Sequence, residues 1–132
     1  MAKIISLSEA STIGLHAMVL IARSPEGLNV QAISDITGSS RHHIAKVLQR
    51  LVKENYLSST RGPSGGFVLK KKPEMINLLQ IYECIEGKIE ISDCPLDHEI
   101  CAFDKCLFNS LTQQMTMQAI EYLESRTLAS YL

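Results

Sequence analysis

Tryptophan is absent from this chain of 132 residues, and the other aromatics number only four Tyr and three Phe. Its core must therefore come from aliphatic side chains, which a hydrophobic content of 45% can supply. No apolar run approaches the ~20 residues needed to span a membrane. The opening Met1-Ala-Lys-Ile-Ile-Ser carries one charge and no long apolar core before a small-residue cleavage site. That speaks against a secretory signal, and the expected location is the cytoplasm. No internal repeat or low-complexity stretch occurs. No Cys/His pair is marked out as nucleophile and base, and no phosphate-cradling loop opens a helix, so an enzyme is not expected. No excess of charge of either sign is present: the net charge is −1.

That near-neutral total hides an asymmetry. From Arg41 to Lys72 there are eight Lys and Arg and one acid, Glu54. From Glu83 to Cys106 there are seven acids and two bases. Phosphate contacts require such an excess on one face, whatever the total.

The basic segment begins with Ser39 to Lys53, which reads as an amphipathic helix. Ile44, Val47, Leu48, Leu51 and Val52 recur at helical spacing. Arg41, His42, His43, Lys46, Gln49, Arg50 and Lys53 lie mostly elsewhere on the cylinder. Ser39 or Ser40 can cap its start. Taken alone, this is equally an amphipathic surface helix with a solvated basic face.

Its neighbours decide the matter. Ser8 to Ala22 predicts a long helix, capped by Ser8 and closed by Ser24-Pro25-Glu26-Gly27. Asn29 caps a short helix, Val30 to Ile36, with Val30, Ile33 and Ile36 facing inward. Gly38 suits the left-handed residue after that helix. A short helix, a tight turn and a basic helix make a helix-turn-helix. Leu57 to Thr60 and Phe67 to Leu69 predict two strands joined by Arg61-Gly-Pro-Ser-Gly-Gly66, a hairpin wing. Its glycines allow close backbone approach to a ligand, and Arg61 can reach a minor groove. Lys70 to Lys72 suits phosphate equally well as plain solvation.

Asn77 caps a helix to Glu86, stopped by Gly87. A loop follows to about Asp104, and a last helix from there to Leu128. Its apolar stripe of Phe108, Leu111, Met115, Ala119 and Tyr122 is too broad for solvent, and the same helix of a second copy is the simplest partner. The expected fold is mainly α: a winged helix-turn-helix with a small β-hairpin wing and a long C-terminal dimerisation helix. The expected organisation is residues 1–87 for DNA binding, 88–106 for a cysteine-containing sensor loop and 104–132 for dimerisation.

That loop holds three of the four cysteines, Cys94, Cys101 and Cys106. Soft thiolates so close in sequence suit an iron–sulfur cluster or zinc, although the spacing is not of the common C-x2-C type. Unligated thiols are the other reading. Cys84 sits in an apolar helical pattern and reads as a core thiol.

In Ile13-Gly-Leu-His-Ala-Met-Val-Leu-Ile-Ala22, Ser40 to Leu51, Arg61-Gly-Pro-Ser-Gly-Gly-Phe67 and Ile76-Asn-Leu-Leu-Gln-Ile-Tyr-Glu-Cys-Ile-Glu-Gly87, the chain resembles the Rrf-two family of bacterial winged helix-turn-helix regulators. The three cysteines bring it nearest the family's iron–sulfur sensor branch, the IscR-like and NsrR-like regulators. His43 stands where the family often has Tyr, Ile13 where it has an aromatic, and no acid lies at Ala45. The resemblance implies a homodimer joined through the long C-terminal helix and bound to a pseudo-palindromic DNA operator. It implies a regulator, expected to be a repressor, controlled by an iron–sulfur cluster of two or four irons that senses nitric oxide, iron or redox state. A cluster-free regulator controlled by thiol oxidation or by a partner protein is the alternative. The expected DNA contacts are Ser40, Arg41, His42, His43, Lys46, Arg50, Arg61, Ser64 and Gly65. The expected ligands are Cys94, Cys101 and Cys106. His16 is a candidate fourth, because one branch takes a ligand from helix one of the other subunit, where Thr12 and His16 stand here. Asp97, His98 and Asp104 are local alternatives.

Overall fold

The computed structural model describes residues 1–62, 65–96 and 100–132. Helix α1 is Glu9–Ala22, and the Ser8 hydroxyl caps it by accepting from Ser11 N–H. Helix α2 is Val30–Thr37, capped by Asn29 and ended by Gly38 at φ 74°. A left-handed residue there costs glycine nothing and reverses the chain at once. Helix α3 is Arg41–Lys53, capped by Ser40. Strands β1, Leu57–Ser59, and β2, Phe67–Leu69, pair antiparallel with Leu57 opposite Leu69. A 3-10 turn, Pro73–Met75, leads into α4, Leu78–Glu86. Asn77 and Gln80 cap α4 reciprocally, each side chain accepting the other's backbone N–H at 2.8 Å. Helix α5 is Leu111–Ser125, and a 3-10 turn, Leu128–Tyr131, follows it.

The core is aliphatic, as the composition requires. Ala17, Met18 and Ile21 of α1 meet Ile33 of α2, Ile44, Leu48 and Leu51 of α3, and Ile76 and Ile81 around the start of α4. Each fully buried Leu or Ile contributes about 1.5–3 kcal/mol of transfer free energy. α3 commits Ile44, Leu48 and Leu51, with Val47 beside them, inward, so its basic side is turned out by packing. Gly14 lets α1 and α4 touch, since a Cβ there would overlap the end of Ile85.

Three expectations are corrected. The last helix starts at Leu111, not near Asp104, because Asn109 and Ser110 adopt positive φ of 46° and 65° and break the chain's course. Phe108 therefore precedes the helix. Ile36 does not face inward but is 62% exposed, because α2 is short: Ile33 is buried in the core and Val30 packs against it, and the last turn is left outside. The last helix also stops at Ser125, and the chain then turns back. Leu78 N–H donates to Arg126 O and Leu128 N–H to Ile76 O, both at 2.9 Å, which seats Leu128 in the core with no exposed surface.

Candidate nucleic-acid interface and cysteine loop

The first turn of α3 is ordered by Ser40, whose hydroxyl accepts from His43 N–H at 3.1 Å. The predicted DNA residues then divide by helix face. His42 and Lys46 are exposed on the outer face. Arg41 turns toward α2, where its Nη1 donates to Gln31 Oε1 at 3.0 Å. With Gln31, Gln49, Arg61 and Gly65 it lines a cleft between α2, α3 and the hairpin. His43 turns toward α1, with Nδ1 3.7 Å from Glu9 Oε1. Arg50 turns toward α4, where Nε donates to Cys84 O at 2.9 Å. Ser64 lies outside the described residues.

The electrostatics suit a polyanion. Among the described residues the one basic side chain within 4.0 Å of a carboxylate oxygen is His43, beside Glu9, so no Lys or Arg between Arg41 and Lys72 is neutralised by an acid. Two of the lysines after the hairpin are partly engaged. Lys70 Nζ donates to Asn55 Oδ1 at 3.1 Å, and Lys71 Nζ lies 4.5 Å from the Tyr56 ring centroid.

The wing glycines serve the protein as well as any ligand. A Cβ at Gly65 would collide with the carbonyls of Thr60 and Gly62, and one at Gly66 with the backbone of Leu28. Sequence reasoning missed Gln31 and Gln49 as members of the cleft. The available signal was position: Gln31 is in the first turn of the helix that precedes a recognition helix, and that helix crosses the DNA backbone.

A short helix, a left-handed turn, a basic helix and an antiparallel hairpin around one core define a winged helix-turn-helix DNA-binding protein. The chain belongs to the Rrf2 family, whose profile, described as "Iron-dependent Transcriptional regulator", matches residues 7–132. Solved relatives agree. The chain is 25% identical to CymR, the global cysteine regulator of B. subtilis, with a TM-score of 0.77 over 98% of this chain and 99% of that one. It is 25% identical to T. potens IscR, with a TM-score of 0.74 over 95% of this chain and 84% of that one. The oxidised form of Staphylococcus aureus CymR, 21% identical over 94% of this chain and 93% of that one, shares the fold at a TM-score of 0.74. The protein is thus a transcription regulator and not an enzyme.

The cysteine loop leaves α4 through Gly87 and is pinned at once, since Glu83 Oε2 accepts from Ile89 N–H at 2.8 Å. Cys94 is half-buried, Cys101 and Cys106 are exposed, and all three are free thiols. Asp97 and His98 lie outside the described residues. Among the described residues no three His, Cys, Asp or Glu side chains come together as a metal site. The donor set, three thiols, fits a cluster in kind. His16 is exposed on α1, with Nδ1 2.8 Å from Thr12 O. A carbonyl can only accept, so Nδ1 carries a proton, and in the neutral ring the Nε2 lone pair is the one open to a ligand or water. Cys84 packs against the core, and burial, then the nearby Glu54 carboxylate, push its thiol above the ordinary range.

Proposed function

We propose that this chain binds a pseudo-palindromic operator as a homodimer, as a repressor, and that an iron–sulfur cluster in the cysteine loop decides when it binds. The observation that carries the proposal is three free thiols within thirteen residues, joined by a pinned loop to the helix that holds Arg50 of α3. Exposed Leu111, Met117 and Tyr122 on α5 favour a second copy against that helix. His42 and Lys46 then enter a major groove in each half-site, and Arg61 the neighbouring minor groove, with Ser64 and Gly65 at the backbone.

Cys94, Cys101 and Cys106 would hold the cluster, with His16 of the other subunit as the candidate fourth ligand. When bound, such a group supplies iron and sulfide that are open to nitric oxide and oxidants. The protein's part is mechanical. Arg50 Nε on Cys84 O ties α3 to α4, and Glu83 ties α4 to the loop. A change in the loop's order can thereby bias the placement of α3, which is a shift between two states by differential affinity.

One observation favours a second reading, control by thiol oxidation. Cys101 and Cys106 are exposed and unpaired, so a peroxide could take two electrons and two protons from them, leaving one disulfide and two waters. Anaerobic purification separates the two. Iron and sulfide in equal amounts, with visible absorption lost in Cys94→Ala, Cys101→Ala and Cys106→Ala, is the expected result. A colourless, iron-free protein that forms a disulfide with peroxide refutes the cluster.

A further inference from the structure

The cleft between α3 and the hairpin has a use that base reading alone does not explain. When a recognition helix fills a major groove and a wing the adjacent minor groove, the phosphodiester strand dividing the grooves must pass between helix and wing. In this chain that passage is a cleft of about 660 Å³. Arg41, the first residue of α3, and Arg61 of the hairpin both line it. Both are exposed, and among the described residues neither has a carboxylate oxygen within 4.0 Å.

Arg41 is held in place. Its Nη1 donates to Gln31 Oε1 at 3.0 Å, and Gln31 Nε2 donates to Asp35 Oδ1 at 2.8 Å. Gln31 and Asp35 are one turn apart on α2, where i,i+4 side chains meet. The carboxylate at the end of this relay polarises the amide toward the arginine. The acceptor beside Arg41 is neutral, so the guanidinium is oriented without losing its charge. Of its roughly five N–H donors, one is spent on Gln31 and the others stay available. A side chain fixed in advance also loses less rotamer entropy on binding.

We propose that Arg41 is a backbone-phosphate clamp for duplex DNA, positioned by Gln31 and Asp35, and not a reader of base edges. The proposal rests on the assignment of α3 and the hairpin to DNA. It moves sequence reading to His42 and Lys46 and gives α2 a role in binding through Gln31 and Asp35.

Fluorescence anisotropy tests it with the full chain. One duplex is enriched by the wild-type protein from a random-sequence pool, and the other is a scrambled duplex of equal length. Each is titrated over a range of salt. Arg41→Ala should weaken both about tenfold, the loss expected for one charge-assisted contact. It should also lower the salt slope by about 0.9, the value for one phosphate. Gln31→Met, which keeps the length and removes the acceptor, should cost about threefold on both duplexes and nothing further in the Arg41→Ala background. Gln31→Glu, which keeps an acceptor but sets a carboxylate on Arg41 and a like charge one turn from Asp35, should weaken both duplexes at least as much as Gln31→Met. Thermal melts of each variant guard against misfolding, and Arg41→Lys, which keeps the charge but not the fork, replaces Arg41→Ala if that variant melts early. In that case Arg41→Lys should keep the salt slope and lose the dependence on Gln31. Four results overturn the proposal. Arg41→Ala could keep scrambled-duplex affinity and relax one base position, which makes Arg41 a base reader. The Gln31 and Arg41 losses could add, which removes the relay. Lys46→Ala and Arg61→Ala could weaken binding while Arg41→Ala does not, which removes the clamp and leaves the DNA assignment standing. The wild type could bind neither duplex at any salt, which removes the DNA assignment and the clamp with it.

Discussion

Replacing Leu128 with alanine asks whether the end of the chain belongs to the DNA-binding core. Leu128 has no exposed surface, and its N–H donates to Ile76 O at 2.9 Å. Arg126 O accepts from Leu78 N–H on one side, and Tyr131 O accepts from Arg23 Nε of α1 at 2.8 Å on the other. The segment after α5 therefore closes the space between α1 and the start of α4. Removing a buried leucine side chain costs about 2–5 kcal/mol, because the transfer free energy is lost and the cavity refills only in part. A domain of this size is held by about 5–15 kcal/mol in all. At roughly 3–6 °C per kcal/mol, the midpoint should fall by about 6–30 °C. Circular dichroism melts at one fixed protein concentration measure this, since an oligomer's midpoint depends on concentration. Leu132→Ala, at a position 62% exposed, is the control and should stay within about 0.5 kcal/mol of wild type. A Leu128→Ala protein that melts with the wild type would show that the tail is dispensable and that residues 1–87 form the core unaided.

Asn77→Ala removes the capping bond that its side chain accepts from Gln80 N–H and should cost about 1 kcal/mol in a denaturant titration, whereas no shift in midpoint would show that α4 is held by packing alone. Gly66→Ala puts a Cβ 2.9 Å from the Leu28 carbonyl, so the hairpin must shift; the expected loss is about 1–3 kcal/mol, and an unchanged melt contradicts the packing described. Cys84 should be alkylated by iodoacetamide more slowly than Cys101 and Cys106 at mildly alkaline pH. Burial, then Glu54, favour its neutral thiol, so its thiolate appears only as pH rises further. Mass spectrometry after timed quenching reads the order, and equal rates for all three would refute it.

Elements set by neighbours in sequence were readable beforehand. The caps Ser8, Asn29, Ser40 and Asn77 each bind a backbone N–H three residues on, and all four hold. The two strands and the inward face of α3 follow from spacing alone. What escaped was set at a distance. Leu128 pairs with Ile76 across some fifty residues, and nothing in Thr127-Leu-Ala-Ser-Tyr131 marks it as core. The late start of α5 turns on Asn109 and Ser110, which adopt left-handed backbone without a glycine to announce it. In the site, Arg41 and Arg61 were visible as charges, yet their shared cleft was not, because Gln31 reaches Arg41 only once α2 folds against α3. Arg50 looked like a DNA contact by charge, but its Nε is committed to Cys84 O.

The central claim is that Cys94, Cys101 and Cys106 govern when α3 binds. The direct measurement is operator affinity of the anaerobically purified protein, before and after a nitric-oxide donor, beside the variant with all three cysteines changed to alanine. The donor should change wild-type affinity at least tenfold, a shift of about 1.4 kcal/mol, and leave the triple variant unmoved. Equal affinity in every sample, with the wild type and the variant indistinguishable, would contradict it.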